Sequence, residues 1–143
     1  MDLSETVQNR SNSPHRSVLL NEVIEYLSIK DGGRYLDCTF GAGGYTRAIL
    51  SKGDCYVTAI DQDPTVIRFA NDLSSDYGDR FNFIQTNFSE VASRLQGKNF
   101  DGVVLDLGIS SMQVDQAARG FSFMQDGPLD MRMSVTGMSA AEF

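Results

Sequence analysis

The chain has 143 residues, of which 41% are hydrophobic and 22% charged, with 13 Gly, 3 Pro and no long biased tract. This suits one globular domain and disfavours disordered, collagenous and coiled-coil chains, and no apolar run approaches the roughly 18–20 residues that span a bilayer. The net charge of −7, with its acidic excess in the second half, is the wrong sign for a protein that holds nucleic acid mainly through its phosphates. Cys38 and Cys55 make neither a metal-binding pair nor a disulfide framework, and the N-terminus lacks a basic-then-apolar signal. A cytoplasmic protein with buried reduced thiols, no metal site and no membrane segment is expected.

Residues 1–14 are polar and aperiodic and end at Pro14, which predicts a mobile arm. Leu20, Val23, Ile24 and Leu27 then fall at i, i+3, i+4 and i+7, predicting a helix from Ser17 to about Ser28 with Ser17 as N-cap. Asp31-Gly32-Gly33 ends it. Tyr35 to Cys38 reads as a buried strand, the glycine loop 39–44 follows, and Tyr45 to Lys52 reads as a helix closed by Gly53. Cys55 to Ile60 is a second strand, leading to a helix with Asp63 as N-cap and Pro64 at its first position. That helix is expected to turn Val66, Ile67, Ala70 and Leu73 inward and to fray near Ser74-Ser75. Phe81 to Gln85 is a third strand, followed by Thr86-Asn87-Phe88 and a short helix from Ser89 to Gln96 that Gly97 stops.

Phe100 to Leu107 is near-continuously apolar, as a strand covered on both faces would be. The alternation predicts an α/β, Rossmann-like fold with a parallel sheet and right-handed crossovers over residues 15–107. Beyond Gly108 the periodicity weakens and all methionines but Met1 occur, so 108–143 is expected to be a loop excursion leading into a different module.

In an open parallel sheet, ligands bind outside the carboxyl ends of the strands. Four groups fall there. The loop Asp37-x-Thr39-x-Gly41-x-Gly43-Gly44 lets backbone approach a ligand and opens a helix whose free N–H groups favour an anion, although such a loop can also be a plain turn. Asp61, twenty residues after Gly41, is placed to accept from both hydroxyls of a ribose, with Asp63 left to cap the next helix. Phe88 can cover an adenine face or pack in the core. Asp106 emerges with Ser110 and Ser111 from an apolar strand end, where an unpaired buried charge would be costly, which favours a functional role. The set describes a nucleoside cofactor with a charged tail. S-adenosylmethionine fits better than a dinucleotide, whose fingerprint calls for glycine where Thr46 stands.

Five runs carry a family resemblance: His15-x-Ser17-Val18-Leu19-Leu20; Asp37-x-Thr39-Phe40-Gly41-x-Gly43-Gly44; Asp61-x-Asp63-Pro64; Asp106-Leu107-Gly108-Ile109-Ser110-Ser111; and Arg119-Gly120-Phe121-Ser122-Phe123-Met124-x-Asp126-Gly127-Pro128-Leu129-Asp130-Met131-Arg132-Met133. With these the sequence resembles the RsmH (MraW) family, bacterial methyltransferases that use S-adenosylmethionine to methylate N4 of a cytidine in 16S ribosomal RNA. The resemblance runs from His15 to Phe143. Met112 stands where many relatives have Pro. Family members are much longer, so the chain resembles their N-terminal portion, stopping where a helical substrate-binding module would start and before the last strands of the sheet.

The resemblance implies a Rossmann-like class I methyltransferase domain with the small ribosomal subunit as partner and neither DNA nor membrane. It implies cofactor contacts at Gly43, Gly44, Tyr45, Asp61, Phe88, Asp106 and Gln113. Asp106 is the candidate catalytic residue, either accepting the N–H of the cytosine amine or only orienting the cofactor. Ser110 and Ser111 are candidates to hold the base, and His15 is a weaker one. Two other readings compete: a truncated remnant that binds the cofactor without methylating, and an NAD-dependent oxidoreductase, which Thr46 disfavours.

Overall fold

Among the described residues, four short strands, all parallel, form a sheet in the order β3-β2-β1-β4. The computed structural model describes residues 19–108, 116–119, 126–128, 130, 133 and 139–142. In chain order these give α1 (Leu20–Leu27), β1 (Arg34–Asp37), α2 (Gly44–Lys52), β2 (Tyr56–Asp61), α3 (Ile67–Tyr77), β3 (Phe81–Gln85), α4 (Val91–Arg94) and β4 (Gly102–Val104). Single 3-10 turns at Pro64–Val66 and Phe88–Glu90 lead into α3 and α4. Among the described residues, no helix is long and apolar enough to cross a membrane.

Strand alternation sorts the core into two layers. On one side Tyr35, Val57, Ala59 and Phe81 pack with Ile24 of α1, Ile49 and Leu50 of α2, and Ala70 and Leu73 of α3. On the other, Leu36, Cys38 and Ile60 meet Leu95, with Val91 and Phe100 against them. The register sets Asp37 opposite Ala59 and Val104, and Asp61 opposite Gln85, so the strand ends that carry the candidate residues lie along one edge of the sheet. Arg80 fixes the far end of α2 by donating to the Gly53 carbonyl at 2.9 Å, with its guanidinium over the Tyr77 ring. Asp101 ties β4 to β1, accepting from the Arg34 N–H at 2.8 Å and pairing with Lys30 at 3.0 Å.

Several sequence expectations need correction. The fourth strand is only three residues long and, among the described residues, lies at one side of the sheet; Val103, Leu105 and Leu107 are exposed there, so the apolar run is not covered on both faces by the described residues. Ile67 is exposed, because α3 starts there and its inward stripe passes through Val66, Ala70 and Leu73. The same helix continues past Ser74-Ser75 to Tyr77, where Gly78 stops it. The first helix begins at Leu20 with Leu19 at its N-cap in a left-handed conformation, so Ser17 is not the cap. His15, Ser17 and the 1–14 arm lie outside the described residues.

Candidate functional site

The site is built from the end of β1 outward. Asp37, the last residue of the strand, is completely buried. It faces α2, whose Thr46 hydroxyl donates to Asp37 Oδ2 at 2.7 Å, while the Thr39 N–H donates to Oδ1 at 3.1 Å. Burial nevertheless pushes the Asp37 carboxyl up to about 6, with the charges of Asp61 and Asp106 acting in the same direction. Thr46 occupies the place of a third glycine because its hydroxyl is needed under the loop.

The loop from Thr39 to Gly43 turns with two left-handed glycines, Gly41 at φ 55° and Gly43 at φ 85°. At Gly43 a Cβ would come within 2.9 Å of Leu73 Cδ1 and 3.0 Å of the Phe40 ring, so packing as well as dihedral angle demands glycine there. At Gly41 the nearest atom to such a Cβ is the Thr39 carbonyl oxygen at 4.0 Å, which leaves that face of the loop open. Helix α2 then starts at Gly44 without a side-chain cap, so its first turn presents N–H groups at the mouth of the loop.

Asp61 closes the loop from the second strand. Its Oδ2 accepts from the Gly41 N–H at 2.8 Å and its Oδ1 from the Asp63 N–H at 2.9 Å. Burial raises its carboxyl above the ordinary range, and these two bonds, with a third from the Gln62 N–H, oppose the rise. The expectation that Asp61 serves a ribose does not include this second role. Asp61 braces the loop as well, and with four lone pairs set against three backbone donors it keeps one acceptor position. Asp63 caps the next turn as expected, accepting from the Thr65 N–H at 3.0 Å.

Asp106 follows β4. Its N–H donates to Thr39 Oγ1 at 2.8 Å, and its carboxylate takes a hydrogen bond from the buried Tyr45 hydroxyl, whose titration is raised chiefly by burial. The carboxylate is only half-buried, so the cost of burying an isolated charge is not what marks it out. Phe88 is 56% exposed beyond β3, with Asn87 capping its turn, so it is a surface ring rather than a core one. Gly43, Gly44, Tyr45, Asp61 and Asp106 are thus brought to one strand edge. Gln113, Ser110, Ser111 and Met112 lie outside the described residues.

Sequence reasoning missed two features. The Asp37–Thr46 bond could have been sought from a carboxylate ending a strand nine residues before a hydroxyl in the first turn of a helix. The other is Arg119, whose guanidinium grips Asp63 with Nη1 to Oδ1 at 3.3 Å and Nη2 to Oδ2 at 3.0 Å. No spacing signals a contact between residues so far apart in the chain.

Residues 12–143 match the MraW methylase family. The chain belongs to that family. It is 61% identical over 129 residues to a Rickettsia massiliae protein named ribosomal RNA small subunit methyltransferase H, covering 90% of this chain and 42% of that protein. The protein of the same name from Rickettsia bellii is 58% identical over 130 residues, covering 91% and 43%. The chain therefore spans less than half the length of these family members. Among solved structures it is similar to an rRNA methylase from Streptococcus thermophilus, with a TM-score of 0.53 at 19% identity over 64% of this chain and 56% of that one. It is also similar to the C-terminal domain of precorrin-6Y C5,15-methyltransferase from Rhodobacter capsulatus, with a TM-score of 0.57 at 16% identity over 75% and 60%. At such identities the likeness concerns the fold, which is the Rossmann-like one of methyltransferases.

Proposed function

We propose that this chain carries the S-adenosylmethionine site of a cytoplasmic methyltransferase that acts on N4 of a cytidine in the 16S ribosomal RNA of the small subunit. One observation supports this reading above the others. Three aspartates, Asp37, Asp61 and Asp106, converge on one glycine loop: the carboxylates of Asp37 and Asp61 accept from the Thr39 and Gly41 N–H groups, the Asp106 backbone N–H donates to the Thr39 hydroxyl, and the charges of Asp61 and Asp106 are felt by Asp37. Such a cluster repels a dinucleotide pyrophosphate and favours a ligand bearing a sulfonium and an ammonium.

The groups present suit that cofactor. The spare acceptor position of Asp61 matches a ribose hydroxyl, the first turn of α2 at Gly44 and Tyr45 matches the carboxylate of the amino-acid tail, and the exposed Phe88 ring offers a face to adenine. When bound, the cofactor supplies an electrophilic methyl group on a sulfonium.

The chain's own residues then have to position an acceptor. The exocyclic amine of cytosine is a poor nucleophile, since its lone pair is delocalised into the ring, so it gains from a base that accepts its N–H and from an in-line approach. Asp106 serves as that acceptor, its backbone fixed by Thr39 and its carboxylate oriented by the Tyr45 hydroxyl. With the cofactor bound, Asp106 would take the amine proton as the nitrogen gains the methyl group and the sulfonium sulfur loses it, the thioether S-adenosylhomocysteine being the leaving group. The family members at 58–61% identity bear the name ribosomal RNA small subunit methyltransferase H, which supports the choice of RNA.

The test is tritiated-methyl transfer to small ribosomal subunits, with the labelled nucleotide mapped. A chain extended to the length of its relatives is expected to label N4 of one cytidine. The 143-residue chain is expected to incorporate little, because its charge of −7 gives no counterion-release term for holding RNA. Labelling of a ring carbon or a ribose would refute the N4 assignment. Absence of transfer by the extended chain, with cofactor binding intact, would favour a cofactor-binding role alone.

A further inference from the structure

Arg119 opens the run of residues most distinctive of this sequence, yet nothing in the proposed chemistry uses it. It lies in the 3-10 turn Ala117–Arg119, and its fork spans both oxygens of Asp63. The pair is buried, the side chains being 12% and 2% exposed. Arg119 Nη2 also donates to the Met133 carbonyl at 2.9 Å, so one guanidinium joins three stretches of chain.

A buried ion pair returns little net stability, because desolvation consumes most of its Coulombic attraction; a two-point Arg–carboxylate pair does fix geometry. The geometry fixed here is that of the ribose carboxylate. Asp63 Oδ1 accepts from the Thr65 N–H and hydroxyl as well as from Arg119, and the Asp63 N–H donates to Asp61 Oδ1 at 2.9 Å. Removing Arg119 leaves a buried carboxylate short of its cation, and Asp63 then turns towards water. The Asp63–Thr65 turn, which this carboxylate holds through the Thr65 N–H and hydroxyl, is then less firmly fixed, and with it the Asp63 N–H that orients Asp61.

We propose that Arg119 is a positioning residue for cofactor binding, setting the angle of Asp61 through Asp63 and thereby coupling occupancy of the ribose site to docking of the Arg119 turn. This rests on the reading of Asp61 as the ribose acceptor. By reciprocity, a cofactor that binds better to the clamped turn must also hold the clamp closed.

The experiment uses the whole 143-residue chain and S-adenosylhomocysteine, the demethylated cofactor, in isothermal titration. Arg119→Gln is expected to weaken binding by about 3- to 30-fold with the thermal midpoint measured alongside. Arg119→Lys, which keeps the charge and loses the fork, should recover only part of the loss. Asp63→Asn should weaken binding too, and the double variant should be no worse than the poorer single one, as expected of residues acting through one contact. Saturating ligand should slow amide exchange at Thr65 and Arg119 in the wild type and not in Arg119→Gln. If Arg119→Gln fails to fold, Arg119→Lys and the wild-type exchange rates carry the test. Wild-type affinity in a folded Arg119 variant, or fully additive effects of the two substitutions, would overturn the proposal while leaving the cofactor site standing. No binding by the wild type would instead remove the cofactor reading, and the proposal with it.

Discussion

The Thr46 hydroxyl donates to Asp37 Oδ2 at 2.7 Å, and neither side chain has any exposed surface. The glycine loop is therefore founded on a buried polar bond. Thr46→Val keeps the shape and leaves a buried oxygen without its donor, so urea unfolding should show a loss of about 1–3 kcal/mol. Thr46→Ser, which restores the hydroxyl, should regain most of it. Equal stability of Thr46→Val and wild type would mean that the bond contributes nothing to the fold.

Asp37 also makes stability depend on pH. Its carboxyl titrates near its ordinary value in the unfolded chain and at about 6 in the folded one, so the folded state holds the proton more tightly. The corresponding stabilisation is fully present below about pH 4 and is lost as pH rises through about 6. Asp37→Asn lacks this titration. Between pH 4 and 7.5 the wild type should lose about 2–4 kcal/mol relative to that variant, measured by urea unfolding. Parallel pH profiles for the two proteins would refute the raised titration.

The element order, the parallel sheet and the four strand-end positions were legible because each depends on local signals: apolar periodicity in α1, Gly43 and Gly44 opening α2, and Asp63-Pro64 starting the turn into α3. The strand expected over Phe100–Leu107 shrinks to Gly102–Val104 because an apolar run records hydrophobicity without saying what covers it, and among the described residues nothing covers Val103, Leu105 and Leu107. Asp61 and Asp106 were found by position, but their bonds to the Gly41 and Thr39 groups come from the closure of the sheet, which no local window contains. The Arg119–Asp63 pair was illegible for the same reason.

Asp106→Asn, introduced into a chain of the relatives' full length, keeps the shape of the side chain and removes its charge. If the carboxylate accepts the N–H of the cytosine amine, the methyl-transfer rate at saturating cofactor should fall by about 10²- to 10⁴-fold. Tyr45→Phe removes the hydroxyl that orients Asp106 and should give a smaller fall of the same kind. Intact turnover with weakened cofactor affinity would assign Asp106 to holding the cofactor instead.

The central claim is that the carboxylates around the glycine loop form a S-adenosylmethionine site, and titration of S-adenosylhomocysteine into wild type and Asp61→Ala tests it most directly. Saturable binding is expected for the wild type, with a loss of about 1–3 kcal/mol in Asp61→Ala, since a ribose hydroxyl loses a charged acceptor and Gly41 loses its brace. NADH should show no saturable binding to either protein. Unchanged affinity in a folded Asp61→Ala variant, or saturable binding of NADH, would contradict the account.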